Sequence, residues 1–254
     1  MNVIKAVFDY TLKENLRRRI WLSAALFGLV LLGGGMAASV LAAEERGRLM
    51  LDLGLAANEA IGLLLMVYLS AHLVLSEIDS RSVYLILTRP IRRWQYLLGR
   101  FLGALAAVAV GMAALGLAHA LLLAAFGWGG GGSYALAWTC SLARVALMGS
   151  LSLLLSLALT SEAAAMAFAG FFWIMGHFSA ELRFVAEKSG SAPIRAAILF
   201  FSRAAPDFAR LNYRDAWHAG APAHGWALWA GLYALGYCAA CLALAVQLFE
   251  LKEF

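Results

Sequence analysis

Long apolar runs separated by short polar segments dominate the chain and predict a bundle of membrane-spanning helices. A helix needs about 20 largely apolar residues to cross the hydrocarbon core of a bilayer, and six runs are of roughly that length. The fold class is therefore predicted to be all-α, a polytopic membrane protein with a single transmembrane domain over residues 1–254. The predicted transmembrane helices are residues 20–42, 53–75, 101–126, 134–159, 163–180 and 226–249.

Residues 1–19 have a different pattern, which is typical of an amphipathic helix. Apolar residues recur every three or four positions from Val3 to Leu16, and most charged residues lie on the other side. Such a helix lies in the membrane interface rather than across the bilayer. The segment ends in consecutive arginines at residues 17–19, directly before the first span. The sequence therefore predicts an N-terminal interfacial helix.

Residues 76–100 form a long, charge-rich segment between two predicted spans. Apolar residues keep helical spacing on both sides of Thr88-Arg89-Pro90, where the proline disfavours helical geometry in the residue before it. We therefore predict two short amphipathic helices joined by a rigid bend. Short basic loops resist translocation, so the segment is predicted to be cytoplasmic because of Arg81, Arg89, Arg92, Arg93 and Arg100.

The distribution of lysine and arginine predicts that both termini are cytoplasmic. Basic residues cluster in residues 1–19 and 76–100, whereas the two short loops predicted to be external carry few or none. The segment 181–224 is also basic, but long loops follow the rule less strictly. Because this segment combines polar residues and prolines with an apolar patch, it is predicted to be an external re-entrant or interfacial segment.

Composition agrees with a membrane location. The chain is 63% hydrophobic and only 14% charged, which leaves too little polar surface for a soluble protein of this length. The net charge of +5 comes from basic residues beside apolar runs, a distribution that anionic lipid headgroups explain. The lipid bilayer is therefore an expected partner, and nucleic acid is not.

The sequence offers no arrangement of residues suited to catalysis or to binding a cofactor or metal. The phosphate-binding motif G-x-x-x-x-G-K-[ST] is absent, so a separate subunit must bind ATP and Mg²⁺ if ATP drives the protein. The nucleophile motif G-x-S-x-G is also absent, and no two histidines have the spacing of a metal-binding pair on one helix. The histidines are interpreted as packed or interfacial residues.

Arg144 lies well inside the apolar run of residues 134–159. A charge in hydrocarbon is costly, so it must face a cavity, a carboxylate or the lipid headgroups. In that case Arg144 is a candidate functional charge within the membrane. Alternatively, the span begins later in the chain and Arg144 lies at the membrane surface. Both interpretations fit the sequence.

A set of residues around the cytoplasmic segment follows the pattern E-x-D-R-R-T-I-Y-x-x-L-x-x-P-x-x-R-x-x-x-x-L-G-K-x-L-G. The sequence departs from this pattern at Ser80, Ser82 and Arg100. A second motif, D-L-G-L, occurs as Asp52-Leu53-Gly54-Leu55 at the start of the second span. Together these features resemble the membrane permease subunit of type-2 ABC exporters. The matching residues are Glu77, Asp79, Arg81, Tyr84, Leu87, Pro90, Arg93, Leu98, Gly99, Phe101, Leu102 and Gly103.

The resemblance implies a six-span subunit that pairs with a second permease copy, identical or related, and with two copies of a cytoplasmic ABC ATPase. ATP hydrolysis by that partner would drive export or extraction of a substrate at a bacterial-type inner membrane. The resemblance also implies that residues 76–100 contain a coupling helix seated on the ATPase. The coupling residues would be Glu77, Asp79, Arg81, Tyr84, Leu87, Arg89, Pro90, Arg92, Arg93 and Trp94.

Two other classes remain as alternatives at this point. A polytopic membrane enzyme is disfavoured because catalytic motifs are missing. An ATP-independent carrier would predict inverted repeats and broken helices, and the sequence shows neither clearly. The apolar character of the spans favours a hydrophobic cargo or a role in mechanical force transmission.

Overall fold

A computed structural model describes residues 3–41, 46–79, 92–127, 131–213 and 223–251. Throughout these ranges the regular structure is helical and no strand occurs, which confirms the all-α class. The helices are α1 (Val3–Leu16), α2 (Ile20–Leu41), α3 (Arg46–Asp79), α4 (Arg93–Ala125), α5 (Gly131–Leu159), α6 (Glu162–His177), α7 (Ser179–Lys188), α8 (Ala192–Ala204) and α9 (Ala223–Leu251), with a 3-10 helix at Phe208–Leu211.

Among the described residues, four helices are long and apolar enough to cross a bilayer: α3, α4, α5 and α9. A fifth crossing results if α6 and α7, which are bent by 75° at their junction, act as one broken span. The first predicted span coincides with α2, several of whose side chains lie outside the described part of the chain. The structure thus gives four or five candidate spans, and a count of six stays a prediction.

Helices α3 and α4 extend into both ends of the predicted cytoplasmic segment. They contain 34 and 33 residues, so each is about 50 Å long, whereas the hydrocarbon core is about 30 Å thick. Residues 76–79 continue α3 and residues 93–100 belong to α4, so a connection between the helices is confined to residues 80–92. Residues 80–91, including the predicted bend at Pro90, lie outside the described residues.

The centre of the bundle is formed by α3 and α5, which pack along each other more extensively than any other pair of described helices. Helices α4 and α9 pack against them around an apolar core. Lipid is as apolar as this core, so close packing rather than escape from water must hold the helices together. Glycines allow the helices to pack closely: Gly62 lies against the Met112 side chain, and Gly149 lies against the Met66 side chain.

Helix α1 packs lengthwise and in parallel along the first half of α4. A Cβ atom added to Gly99 would lie 2.8 Å from Cβ of Val7, and one added to Gly103 would lie 2.6 Å from Cβ of Thr11. The G-x-x-x-G spacing therefore makes room for α1 rather than for another spanning helix. The predicted apolar stripe of α1 includes the face that meets α4, and its placement in the membrane interface stays a prediction.

The predicted external segment 181–224 is largely helical where it is described. After α6 ends at His177, the chain bends into α7, which packs against α8, and the 3-10 helix at Phe208–Leu211 then returns to the bundle. Apolar side chains remain exposed on this pair of helices, among them Phe184, Ile194 and Phe200. A re-entrant or interfacial position is compatible with these features and stays a prediction.

Candidate functional site

The described base of the predicted coupling segment is organised by Arg93, the first residue of α4. Nη1 of Arg93 donates hydrogen bonds to the carbonyl oxygens of Phe249 and Glu250, each at 3.0 Å. These carbonyls lie in the last turn of α9, where no helical N–H group is available to them. The guanidinium also lies 6.0 Å from the centroid of the Phe249 ring, on which Tyr96 stacks at 6.2 Å. Arg93 therefore fastens the beginning of α4 to the end of α9.

Arg100, two turns further along α4, is buried and joins two more helices. Its Nη1 donates to Oε2 of Glu14 at 2.6 Å and to Oγ1 of Thr11 at 3.2 Å, both on α1. Its Nη2 donates to the carbonyl oxygen of Leu73 on α3 at 3.5 Å. The cytoplasmic ends predicted for α3 and α4 are thus tied to α1 through one side chain.

The charge state of Glu14 follows from this contact. Burial of the carboxyl group by itself raises its pKa, because it disfavours the ionised form. The hydrogen bond and positive charge of Arg100, and then those of Arg18, outweigh burial and leave the pKa of Glu14 below its ordinary value. Glu14 is therefore ionised near neutral pH, and the contact is a charge-assisted one.

The structure describes the predicted coupling residues only in part. Arg92 is exposed, whereas Arg93 and Trp94 are half-buried at the start of α4. The backbone of Glu77 and Asp79 continues α3, but their side chains lie outside the described residues. Five further members of the set lie wholly outside the described residues: Arg81, Tyr84, Leu87, Arg89 and Pro90. A coupling role for the whole set therefore stays a prediction.

Arg144 is buried inside the helix bundle. Its side chain is 5% exposed, and Nη1 donates to Oε1 of Glu59 on α3 at 2.9 Å. Its Nη2 donates to the carbonyl oxygen of Phe208 in the 3-10 helix at 3.2 Å, and Oγ of Ser141 donates to the second oxygen of Glu59 at 2.9 Å. Arg144 therefore faces a carboxylate inside the bundle, and its depth in the membrane and a functional role stay predictions.

Glu59 is a site residue that sequence reasoning missed. It lies six residues into the predicted span 53–75, and an acidic residue at that depth was a usable signal, because an unpaired carboxylate in hydrocarbon is as costly as an unpaired arginine. Opposite charges inside two spans indicate a buried pair. This pair connects α3, α5 and the chain that leads from α8 to α9.

Two histidines also connect helices. Nδ1 of His72 on α3 lies 2.9 Å from Oε1 of Glu162, the first residue of α6. His119 on α4 is buried, with Nδ1 3.1 Å from the Tyr134 hydroxyl on α5 and Nε2 3.2 Å from the carbonyl oxygen of Met50 on α3. These contacts agree with the interpretation of the histidines as packed residues.

A cavity of about 370 Å³ lies between α3, α5 and α6. Its volume falls within the range of small-molecule pockets. All of its described lining is apolar, and one of the lining residues, Ala60, directly follows Glu59 in α3. It can receive an apolar group but offers no side chain for bond-making chemistry. The lining includes Ala60, Leu64, Val67, Met148, Gly170 and Trp173.

The long apolar helices define an integral membrane protein whose described part encloses a buried ion pair and an apolar cavity. Residues 56–254 match the family model of the ABC-2 family transporter proteins. This match covers most of the chain, so the protein belongs to that family and is a permease subunit of the type-2 ABC class, whose members act with an ABC ATPase subunit. No curated protein matches the chain.

Proposed function

We propose that this chain couples ATP hydrolysis by a partner ABC ATPase to export or extraction of a substrate at a bacterial-type inner membrane. The family match over residues 56–254 carries the proposal. The absence of a phosphate-binding motif from these 254 residues supports it, because ATP would then have to be bound elsewhere in the transporter. Two ATPase copies and a second permease copy complete the transporter, with both termini of this chain in the cytoplasm.

The contacts at the base of the coupling segment support a mechanical role for it. Residues 80–91 connect two helices that are each too long for the bilayer, so displacement of the segment moves stiff levers rather than a flexible loop. Arg93 would transmit that displacement to α9, and Arg100 would transmit it to α1 and α3. When the ATPase pair closes on ATP, it would contact one conformation of the permease more favourably than the other and so shift the permease between two states.

The cargo is proposed to be hydrophobic. The cavity between α3, α5 and α6 is apolar throughout its described lining. A polar solute would have to give up water there without receiving a hydrogen bond, which costs several kcal/mol. An apolar or lipid-like molecule enters from the bilayer without that cost.

Co-purification tests the coupling proposal. The tagged permease is expressed in its own host, extracted in mild detergent, and assayed for co-purified ABC ATPase and vanadate-sensitive ATP hydrolysis. We expect the ATPase to be retained in a fixed ratio to the permease. Recovery of the permease alone under several detergents would contradict the proposal.

A glycine in the cavity allows a separate test of the cargo. A Cβ atom on Gly170 would meet nothing within 4 Å, so Gly170→Leu fills part of the cavity without displacing a neighbour. Gly236 on α9 is equally open, which makes Gly236→Leu a matched control. We expect Gly170→Leu to retain the ATPase and to lose stimulation of ATP hydrolysis by hydrophobic compounds. Equal stimulation in the two variants would exclude this cavity as the cargo site.

A further inference from the structure

A second apolar groove lies where α2 leaves α1 and passes over α3 and α4. This elbow groove has a volume of about 370 Å³. Its described lining is apolar and includes Leu16 and Trp21 on either side of the turn between α1 and α2, Leu65 on α3, and Ala114 on α4. From Trp21 the lining continues along α2 to Leu29, a rise of about 12 Å for a helix.

Trp21 lies at the end of the groove beside the turn between α1 and α2. The indole Nε1 donates to the carbonyl oxygen of Asn15 at 2.7 Å, which bridges the end of α1 and the start of α2. The indole ring lies directly over Gly111 of α4, where any Cβ atom would collide with it. Trp21 therefore anchors the start of α2 to both α1 and α4 at this end of the groove.

The turn that separates Leu16 from Trp21 consists of three arginines and Ile20. Arg18 donates to Oε1 of Glu14 at 2.9 Å and is thereby neutralised. Arg17 and Arg19 are exposed and have no acidic partner within the described part of the chain. Two exposed arginines without an acidic partner among the described residues therefore lie in the turn between Leu16 and Trp21, at one end of the apolar groove.

We propose that the elbow groove is a binding site for one anionic phospholipid. Arg17 and Arg19 would hold the phosphate of the lipid, since guanidinium groups form paired, charge-assisted hydrogen bonds with phosphate oxygens. One acyl chain would lie along α2, past Trp21 towards Leu29. A zwitterionic lipid fits the apolar part equally well, but its cationic group cancels the attraction to the arginines. The site is separate from the cavity proposed for cargo, and it does not require an ATPase.

Titration of the purified full-length chain with lipid, followed by native mass spectrometry, tests the proposal. Phosphatidylglycerol is compared with phosphatidylcholine of the same acyl chains. Arg17→Gln with Arg19→Gln removes the predicted phosphate ligands. Lys5→Gln with Lys13→Gln is the matched control, because these lysines are exposed on α1 and the loss of charge is the same. Ala114→Phe fills the groove and leaves all charges in place, with Ala25→Leu as a second filling variant.

We expect the wild-type chain to prefer phosphatidylglycerol by about thirtyfold, the contribution of two basic residues at an anionic headgroup. The arginine variant should bind both lipids with the same weak affinity, and the lysine control should keep the preference for phosphatidylglycerol. The filling variants should have a lower affinity for both lipids. Three results would each overturn the proposal: no preference in the wild type, equal loss in the lysine control, or full binding in both filling variants. The first shows that the arginines do not select the headgroup, the second indicates diffuse charge attraction, and the third indicates a headgroup contact without a groove.

Discussion

Arg144 on α5 and Glu59 on α3 form an ion pair with a nitrogen–oxygen distance of 2.9 Å inside the bundle, and their side chains are only 5% and 6% exposed. The carboxylate also accepts a hydrogen bond from Ser141, and the guanidinium donates another to the Phe208 carbonyl oxygen. Two charges in a medium of low polarity are stable only when they remain together and keep such additional partners.

Removal of one member of this pair should destabilise the protein far more than removal of both. Arg144→Met or Glu59→Leu leaves an uncompensated buried charge, and we expect a loss of about 3–5 kcal/mol for each. The double variant should recover most of that loss. Thermal unfolding in detergent, arranged as a double-mutant cycle, gives the coupling energy. Additive effects of the two single variants would show that the pair is not coupled.

The contact between Glu14 and Arg100 predicts a dependence of α1 docking on pH. The pKa of Glu14 is lower in the folded protein than its ordinary value of 4.5. Its contribution to stability is therefore fully present above pH 4.5 and is lost as pH falls through the lower folded value. Hydrogen exchange of α1 amides should increase in that acidic range, and Glu14→Gln should abolish the change. An unchanged pH profile in Glu14→Gln would contradict this assignment.

A side chain at Gly103 should displace α1. A Cβ atom there would lie 2.6 Å from Cβ of Thr11, so Gly103→Leu cannot be accommodated without movement of the helix. We expect a cost of about 1–3 kcal/mol, as for other overpacked interfaces, and faster proteolysis within α1. Gly236→Leu, in open space on α9, is the control. Equal proteolysis of the two variants would show that α1 does not depend on this contact.

Arg93 is predicted to hold the end of α9 in place. Arg93→Ala removes two hydrogen bonds to carbonyl oxygens, and we expect a loss of about 1 kcal/mol because the contact is partly exposed. Amide exchange in the last turn of α9 should increase. Arg92→Ala removes an adjacent, exposed arginine and should leave that exchange unchanged. In the complex with an ATPase, only Arg93→Ala should reduce the nucleotide-dependent movement of a spin label on α9.

Much of the fold could be predicted from the sequence because hydrophobic length is a direct signal for helices in a bilayer. The all-α class and the approximate positions of α3, α4, α5 and α9 follow from it. The helices are longer than the predicted spans: α3 includes residues 76–79, and α4 includes residues 93–100, where Arg93 contacts α9 and Arg100 contacts α1. The membrane boundaries of the spans stay predictions.

The partners of the charged residues could not be predicted in the same way. Arg144 was identified as a buried candidate, but Glu59 was overlooked, and the pairing depends on how α3 faces α5. Likewise, the G-x-x-x-G spacing of Gly99 and Gly103 favours close packing on one face but does not indicate that α1 is the neighbour. Spacing along one helix defines a face, whereas the element that meets it is determined by the arrangement of the whole bundle.

The most direct test of the coupling account is recovery of the ATPase with a permease that carries Arg89→Glu and Arg92→Glu. These two residues belong to the predicted coupling set, and Arg92 is exposed, whereas Arg93 is better left intact because it contacts α9. The control carries Lys5→Glu and Lys13→Glu, the same change in charge on the exposed side of α1. We predict at least a tenfold loss of co-purified ATPase for the arginine variant, normal recovery for the control, and equal membrane insertion of both. Equal ATPase recovery from the two variants, or none from the wild type, would contradict the account.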